Sequence, residues 1–105
     1  MQQLTTKQLK EFIDNDTPVF ILDVREAWEF ELCHIDESIN IPMAEIPASK
    51  DNLDPEKLTV VICHHGMRSF QVAQYLEAEG FKNIKNLEGG IAAWAETIDS
   101  SMAQY

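Results

Sequence analysis

No stretch of this chain stays apolar for the roughly 20 residues that a membrane-spanning helix needs, so no membrane role is expected. The opening residues Met1-Gln2-Gln3-Leu4-Thr5 lack the basic segment and apolar core that mark a secretory signal. Basic residues are scarce: 8 Lys and Arg stand against 18 Asp and Glu, a net charge of −10. Nucleic acids and anionic lipid surfaces are held by clustered positive charge, so neither is an expected partner. The same excess of acid repels any small anionic ligand, and binding such a ligand must rely on a local device. Cysteine is limited to Cys33 and Cys63. Without a visible export signal, two reduced thiols in the cytoplasm are expected rather than a disulfide framework. Repeats and low-complexity segments are absent.

What is present reads as one domain over residues 1–105, with ordinary composition, 45% hydrophobic and 25% charged. Residues 1–4 suit a short edge strand. Thr5 or Thr6 can cap a helix carrying Leu9, Phe12 and Ile13, which Asn15-Asp16-Thr17-Pro18 breaks. Val19-Phe20-Ile21-Leu22 reads as a central strand with Asp23 at its carboxyl end. Residues 26–32 suit a short helix whose Trp28 and Phe30 are expected to pack over the sheet. A strand over 38–41 ends at Pro42, and 43–55 reads as a loop with one helical turn. After the strand at 60–62, a helix carrying Val72, Ala73 and Leu76 runs toward Gly80. A weak strand over 83–87 precedes a helix that begins at Gly89-Gly90 and contains Ile91, Trp94 and Ile98. The segment 99–105 is polar and expected to cover the surface. Alternating strands and helices predict an α/β fold on a mainly parallel sheet.

The chemistry concentrates in Val60-Val61-Ile62-Cys63-His64-His65-Gly66-Met67-Arg68-Ser69. Three β-branched residues suit a strand buried on both faces, and Ser69 is a plausible first residue of the following helix. Cys63 therefore falls between the carboxyl end of a strand and a helix N-terminus, where open α/β sheets bind ligands. A thiol is a useful nucleophile as thiolate, and helix N-termini and nearby cations favour that form. A tight strand-to-helix loop turns successive N–H groups inward as an anion nest, with Gly66 permitting the curl. Arg68 adds a permanent forked cation. Such a site attacks electrophilic anions and holds an anionic product. A buried structural cysteine is the plain alternative on this local pattern.

Three segments in order and spacing carry a resemblance. Cys63-His64-His65-Gly66-Met67-Arg68-Ser69 resembles the active-site loop of the rhodanese (sulfurtransferase) family. Leu22-Asp23-Val24-Arg25-Glu26 through Glu29-Phe30, with His34-Ile35 and Asn40-Ile41-Pro42, resembles its upstream signature. Leu87-Glu88-Gly89-Gly90-Ile91 with Ala93-Trp94 resembles the signature near its C-terminus. The resemblance implies a five-stranded sheet flanked by helices on both faces. It also implies a reaction: the Cys63 thiolate takes the outer sulfur of a donor such as thiosulfate, becomes a persulfide, and yields that sulfur to a thiophilic acceptor. The acceptor would be cyanide in vitro or a thiol in the cell. No cofactor or metal is implied. His64, His65, Gly66, Met67, Arg68 and Ser69 would form the substrate loop, with Asp23 in support. The six residues from Cys63 to Arg68 are one fewer than in the related phosphatases, which disfavours phosphatase or arsenate chemistry.

Several alternatives stay open at this stage. Arg68 could bind the substrate anion, tie the loop to Asp23 or Glu88, or do both. His64 and His65 depart from the basic residue that usually follows the family's cysteine. Cys33 and Glu37 stand where glycines are usual, and Cys33 could serve as a second, sulfur-accepting thiol. A metal site from Cys63, His64, His65, Cys33 and His34 is disfavoured, because neighbours on a curled loop cannot easily surround one ion. His34 is expected to be structural. The rival reading is a persulfide carrier that passes sulfur to another enzyme and turns over small donors poorly. The physiological donor and acceptor and the oligomeric state are not readable from the residues.

Overall fold

The structure is a computed structural model describing residues 1–105. Five strands form one parallel sheet: β1 (Gln2–Leu4), β2 (Phe20–Asp23), β3 (Ile39–Asn40), β4 (Thr59–Ile62) and β5 (Ile84–Leu87), in spatial order β1-β5-β4-β2-β3. Helices are α1 (Thr6–Asp14), α2 (Ala27–Leu32), α3 (Ile46–Ser49), α4 (Met67–Ala78) and α5 (Gly90–Thr97), with 3-10 turns at Met43–Glu45 and Lys50–Asn52. The expected α/β class holds, with every strand pair parallel. No helix is long and apolar enough to cross a membrane.

Local rules account for the element ends. Thr5 caps α1 with its hydroxyl on the Gln8 amide, and the Gln8 side chain returns to the Thr5 amide at 2.9 Å. Asp16, at φ 54°, turns the chain out of α1 toward β2. Helix α4 runs to Ala78 and Gly80 follows at φ 98°, the left-handed exit its position predicts.

Burial on both faces gives β4 its continuous apolar run. Val60 and Ile62 point into a cluster with Leu9, Ile35, Ile91 and Trp94 beneath α1 and α5. Val61 and Cys63 point the other way, toward Ile46, Val72, Ala73 and Leu76 of α3 and α4. Cys33 belongs to the first cluster and Cys63 to the second, so the sheet separates them. Both thiols are free. That placement gives no support to Cys33 as a partner thiol.

Two expectations about α2 and the strand edge need correction. Trp28 does not pack over the sheet; it is 61% exposed, because the inward position of this short helix is taken by Glu29, which is 4% exposed. Asp23 does lie at the carboxyl edge, but its carboxylate is engaged by Arg25 rather than by the active-loop arginine. Arg25 Nε bonds both Asp23 oxygens at 3.0 and 3.1 Å, and Nη2 reaches Oδ2 at 2.7 Å. Nη1 donates to the Glu29 carbonyl at 3.3 Å and Nη2 to the Cys33 carbonyl at 2.6 Å. Both side chains of this ion pair are fully buried.

A forked guanidinium that ties a strand end to both ends of a helix has no equivalent in a point charge. Arg25→Lys should therefore lower the unfolding free energy by about 3 kcal/mol in a urea titration, the scale of a broken buried pair. A loss below about 1 kcal/mol would show that charge alone suffices at this position.

Candidate active site

Strands β2 and β4 are neighbours, and the chain leaves β2 outward to β3 but leaves β4 toward β5. The crevice beyond their carboxyl ends is thus the switch point where such sheets bind ligands. Cys63 follows β4 directly and Arg25 follows β2, so both reach this crevice.

The loop after Cys63 is shaped from behind by α5. The amide of Ile91 donates to the Cys63 carbonyl at 2.8 Å, and that of Ala92 to the His64 carbonyl at 3.0 Å. Gly90 makes this approach possible, since a β-carbon there would collide with the carbonyl oxygens of Cys63 and His64. A trans peptide points its N–H opposite its carbonyl, so drawing these carbonyls toward α5 turns the His64 and His65 amides away from it. Gly66, at φ 105°, then curls the chain into α4. Its own amide donates to Cys63 Sγ at 3.1 Å. The amides of His64, His65, Met67, Arg68 and Ser69 donate to no other group of the protein. The loop and the first turn of α4 thus carry a run of uncommitted donors directly after Cys63, with the Gly66 amide on its sulfur.

Ser69 is not the first residue of α4, as its type suggested; Gly66 is the cap and Met67 begins the helix. Ser69 instead stands in the first turn with its hydroxyl 3.3 Å from Sγ and in contact with Asn86 Oδ1. A hydroxyl carries one proton. With a Cys63 thiol, Ser69 can accept from sulfur and donate to Asn86; with a sulfur anion it can turn and donate to sulfur. Asn86 also donates to the Gly66 carbonyl at 3.1 Å, so β5 supports the loop at two points. Nothing in the residue type of Asn86 announced this role.

Arg68 meets neither Asp23 nor Glu88. It forms a fork-to-fork pair with Glu29, Nη1 to Oε1 at 2.7 Å and Nη2 to Oε2 at 2.9 Å. Glu29 also accepts from the Glu26 amide at 2.9 Å and from the Tyr105 hydroxyl at 2.7 Å. These bonds, led by the one from Arg68, hold its carboxyl down at about 2 despite burial. Arg68 is correspondingly held in its charged form, above its ordinary value. A capping-box acid at the third position of α2 was the one available sequence signal for Glu29.

Cys63 itself is only 1% exposed. His64 is partly covered, His65 and Met67 are exposed, and the two imidazoles stack at 4.0 Å. Burial, and then the neighbouring His65, pushes His64 below its ordinary value, so at neutral pH it adds no positive charge beside the sulfur. His34 is structural, with Nδ1 2.7 Å from the Phe30 carbonyl and its ring stacked on Phe30 at 3.9 Å. No three His, Cys, Asp or Glu side chains converge as ligands for a metal ion.

Because the folded-state pKa of Glu29 is depressed from 4.5 to about 2, its stabilising contribution is complete above the higher value and lost as pH falls toward the lower. Glu29→Gln should therefore unfold at a lower temperature than the unsubstituted chain near neutrality. The gap between them should shrink as pH falls from about 4.5 toward about 2 in thermal melts. A gap that stays constant over that range would contradict the pairing with Arg68.

Comparison with known proteins accords with this geometry. The Rhodanese-like domain family matches residues 5–97. A provisionally named sulfurtransferase of Bacillus subtilis (strain 168), YtwF, is 40% identical over 94 residues, 90% of this chain and 90% of that protein. The thiosulfate sulfurtransferase GlpE of Coxiella burnetii (strain RSA 331 / Henzerling II) is 37% identical over 76 residues, 72% of this chain and 71% of its own. The crystal structure of a rhodanese-like domain protein from Staphylococcus aureus superposes with a TM-score of 0.84 at 36% identity, covering 90% of this chain and 91% of that one. By sequence, by fold and by the order of its three signature segments, the chain belongs to the rhodanese-like sulfurtransferase family.

Proposed function

We propose that the chain transfers a sulfane sulfur from a small anionic donor such as thiosulfate to a thiophilic acceptor, through a persulfide on Cys63. In the first half-reaction the Cys63 thiolate attacks the outer sulfur of thiosulfate. A new S–S bond forms to Cys63, the donor's S–S bond breaks, and its electron pair leaves with sulfite. In the second, a nucleophile (cyanide in vitro, a thiol in the cell) attacks the terminal sulfur and Cys63 departs as thiolate. No external oxidant or reductant is required, and ping-pong kinetics follows from the covalent intermediate.

The observation that carries this reading is the run of uncommitted main-chain donors that follows Cys63 into α4, with the Gly66 amide on its sulfur. Fixed dipoles stabilise a sulfur anion without reorganising during the reaction. The helix N-terminus adds to the same field. Arg68 contributes charge and loop geometry together, since Glu29 holds its fork in place. This local field answers the repulsion that a net charge of −10 presents to an anion. A carrier reading, in which the persulfide passes to another enzyme with little small-donor turnover, draws on the 1% exposure of Cys63.

Thiosulfate treatment should add the mass of one sulfur atom to the intact chain, and Cys63→Ser should abolish that addition. Steady-state turnover with thiosulfate and cyanide separates enzyme from carrier: fast turnover supports the enzyme, and a long-lived persulfide with slow turnover supports the carrier. A hydrogen bond to a charged group contributes about 1.5–3 kcal/mol. Ser69→Ala should therefore slow sulfur loading by about tenfold or more. No added sulfur on the unsubstituted chain, or its retention in Cys63→Ser, would overturn the proposal.

A further inference from the structure

The segment after α5 does more than cover surface. The Met102 amide donates to the Asp99 carbonyl at 3.1 Å, but Ala103, Gln104 and Tyr105 make no main-chain hydrogen bond. Ala103 and Gln104 are exposed. Tyr105 is itself 38% exposed, but its side chain is engaged by four partners. Its hydroxyl donates to Glu29 Oε2 at 2.7 Å and accepts from Arg25 Nη1 at 3.0 Å. Its ring lies 4.0 Å from that of His64 at an interplanar angle of 11°, and meets Trp28 edge-on at 5.8 Å. One residue thus links the β2–α2 side of the crevice to the cysteine loop. Burial, chiefly, raises its phenol to about 12, so it stays neutral and can both donate and accept at pH 7. Behind it, a cleft of about 140 Å³ lined by His64, His65, Ala92 and Ala95 separates this segment from α5. Only side-chain contacts therefore hold the ring in position, beside the loop that begins at Cys63, whose side chain is 1% exposed.

We propose that Tyr105 is a specificity-determining residue, a movable wall that restricts approach to Cys63 to slender sulfane-sulfur compounds. Its importance for catalysis rests on the sulfurtransferase reading above; its effect on access does not. With the ring stacked on His64, a thin donor such as thiosulfate passes beside it to reach the loop. A donor with a bulky organic group needs the segment to swing away first. Removing the ring opens the site to both, and benefits the bulky compound far more. Removing only the hydroxyl leaves the stack but takes away two of the contacts that fix it, and so loosens the wall in part.

Reagents with the same chemistry and different girth test this directly. Methyl and benzyl methanethiosulfonate both transfer a sulfenyl group to a thiolate: a mixed disulfide forms on Cys63 and methanesulfinate leaves. Second-order rates are followed by intact mass and assigned to Cys63 by peptide mass. Tyr105→Ala should accelerate the benzyl reagent by about tenfold and the methyl reagent by no more than about twofold, as removal of a gate predicts. Tyr105→Phe should fall between the unsubstituted chain and Tyr105→Ala for the benzyl reagent and stay within about twofold for the methyl reagent. Unfolding midpoints confirm that the compared proteins are folded. Equal acceleration of the two reagents in Tyr105→Ala, or no acceleration of either, would overturn the proposal. Neither reagent needs a persulfide. A chain that passes this test yet gains no sulfur from thiosulfate would refute the sulfurtransferase reading while leaving the wall in place.

Discussion

The site depends on the contact between the first turn of α5 and the back of the cysteine loop. Two helix amides hold the carbonyls of Cys63 and His64 at 2.8 and 3.0 Å, and Gly90 has no side chain to prevent it. Once those carbonyls are occupied, the planar peptide leaves the attached N–H groups little choice of direction. The positive φ of Gly66 completes the turn, and its amide meets Cys63 Sγ. The shape of the loop is thus set by backbone contacts, and the two helix N-termini divide the work. Helix α5 satisfies the loop's acceptors while α4 adds its own donors to the loop's.

A second layer holds this cradle against the rest of the sheet. Asp23 fixes Arg25 with both partners fully buried, and Arg25 fixes α2 through the Glu29 and Cys33 carbonyls. The carboxylate of Glu29 then holds Arg68 beside the loop. Charge therefore runs from the end of β2 to the start of α4 in alternating sign, each member paired. Such an arrangement loses more by removal of one partner than any isolated surface pair contributes. Within it two carboxylates are matched by two guanidiniums, so these groups add nothing to the net charge of −10.

What was legible in the sequence was whatever lies close together along it. Cys63, Gly66 and Arg68 share one loop, and the apolar run of β4 and the stripe Val72, Ala73, Leu76 follow simple periodicities. The three signature segments placed the sheet and the crevice. Contacts between distant positions were not legible. Glu29 is 39 positions from Arg68 and 76 from Tyr105, and no local pattern pairs them. Trp28 was assigned inward on its size, whereas the inward place in a six-residue helix went to a carboxylate with four donors to accept. Ser69 has the right chemistry for a helix cap, but the sulfur and Asn86 compete for its hydroxyl, and Gly66 caps instead. The segment 99–105 reads as polar covering, and its single decisive residue is recognisable only from the partners it reaches.

The central claim is that the added sulfur is held by main-chain amides of the loop. Amide NMR shifts recorded before and after stoichiometric loading with thiosulfate test it most directly, with intact mass confirming one added sulfur. The account predicts large downfield shifts confined to amides between His64 and Ser69, with β2 and β4 unmoved. Loop amides that stay in place while the mass shows the sulfur on Cys63 would contradict it.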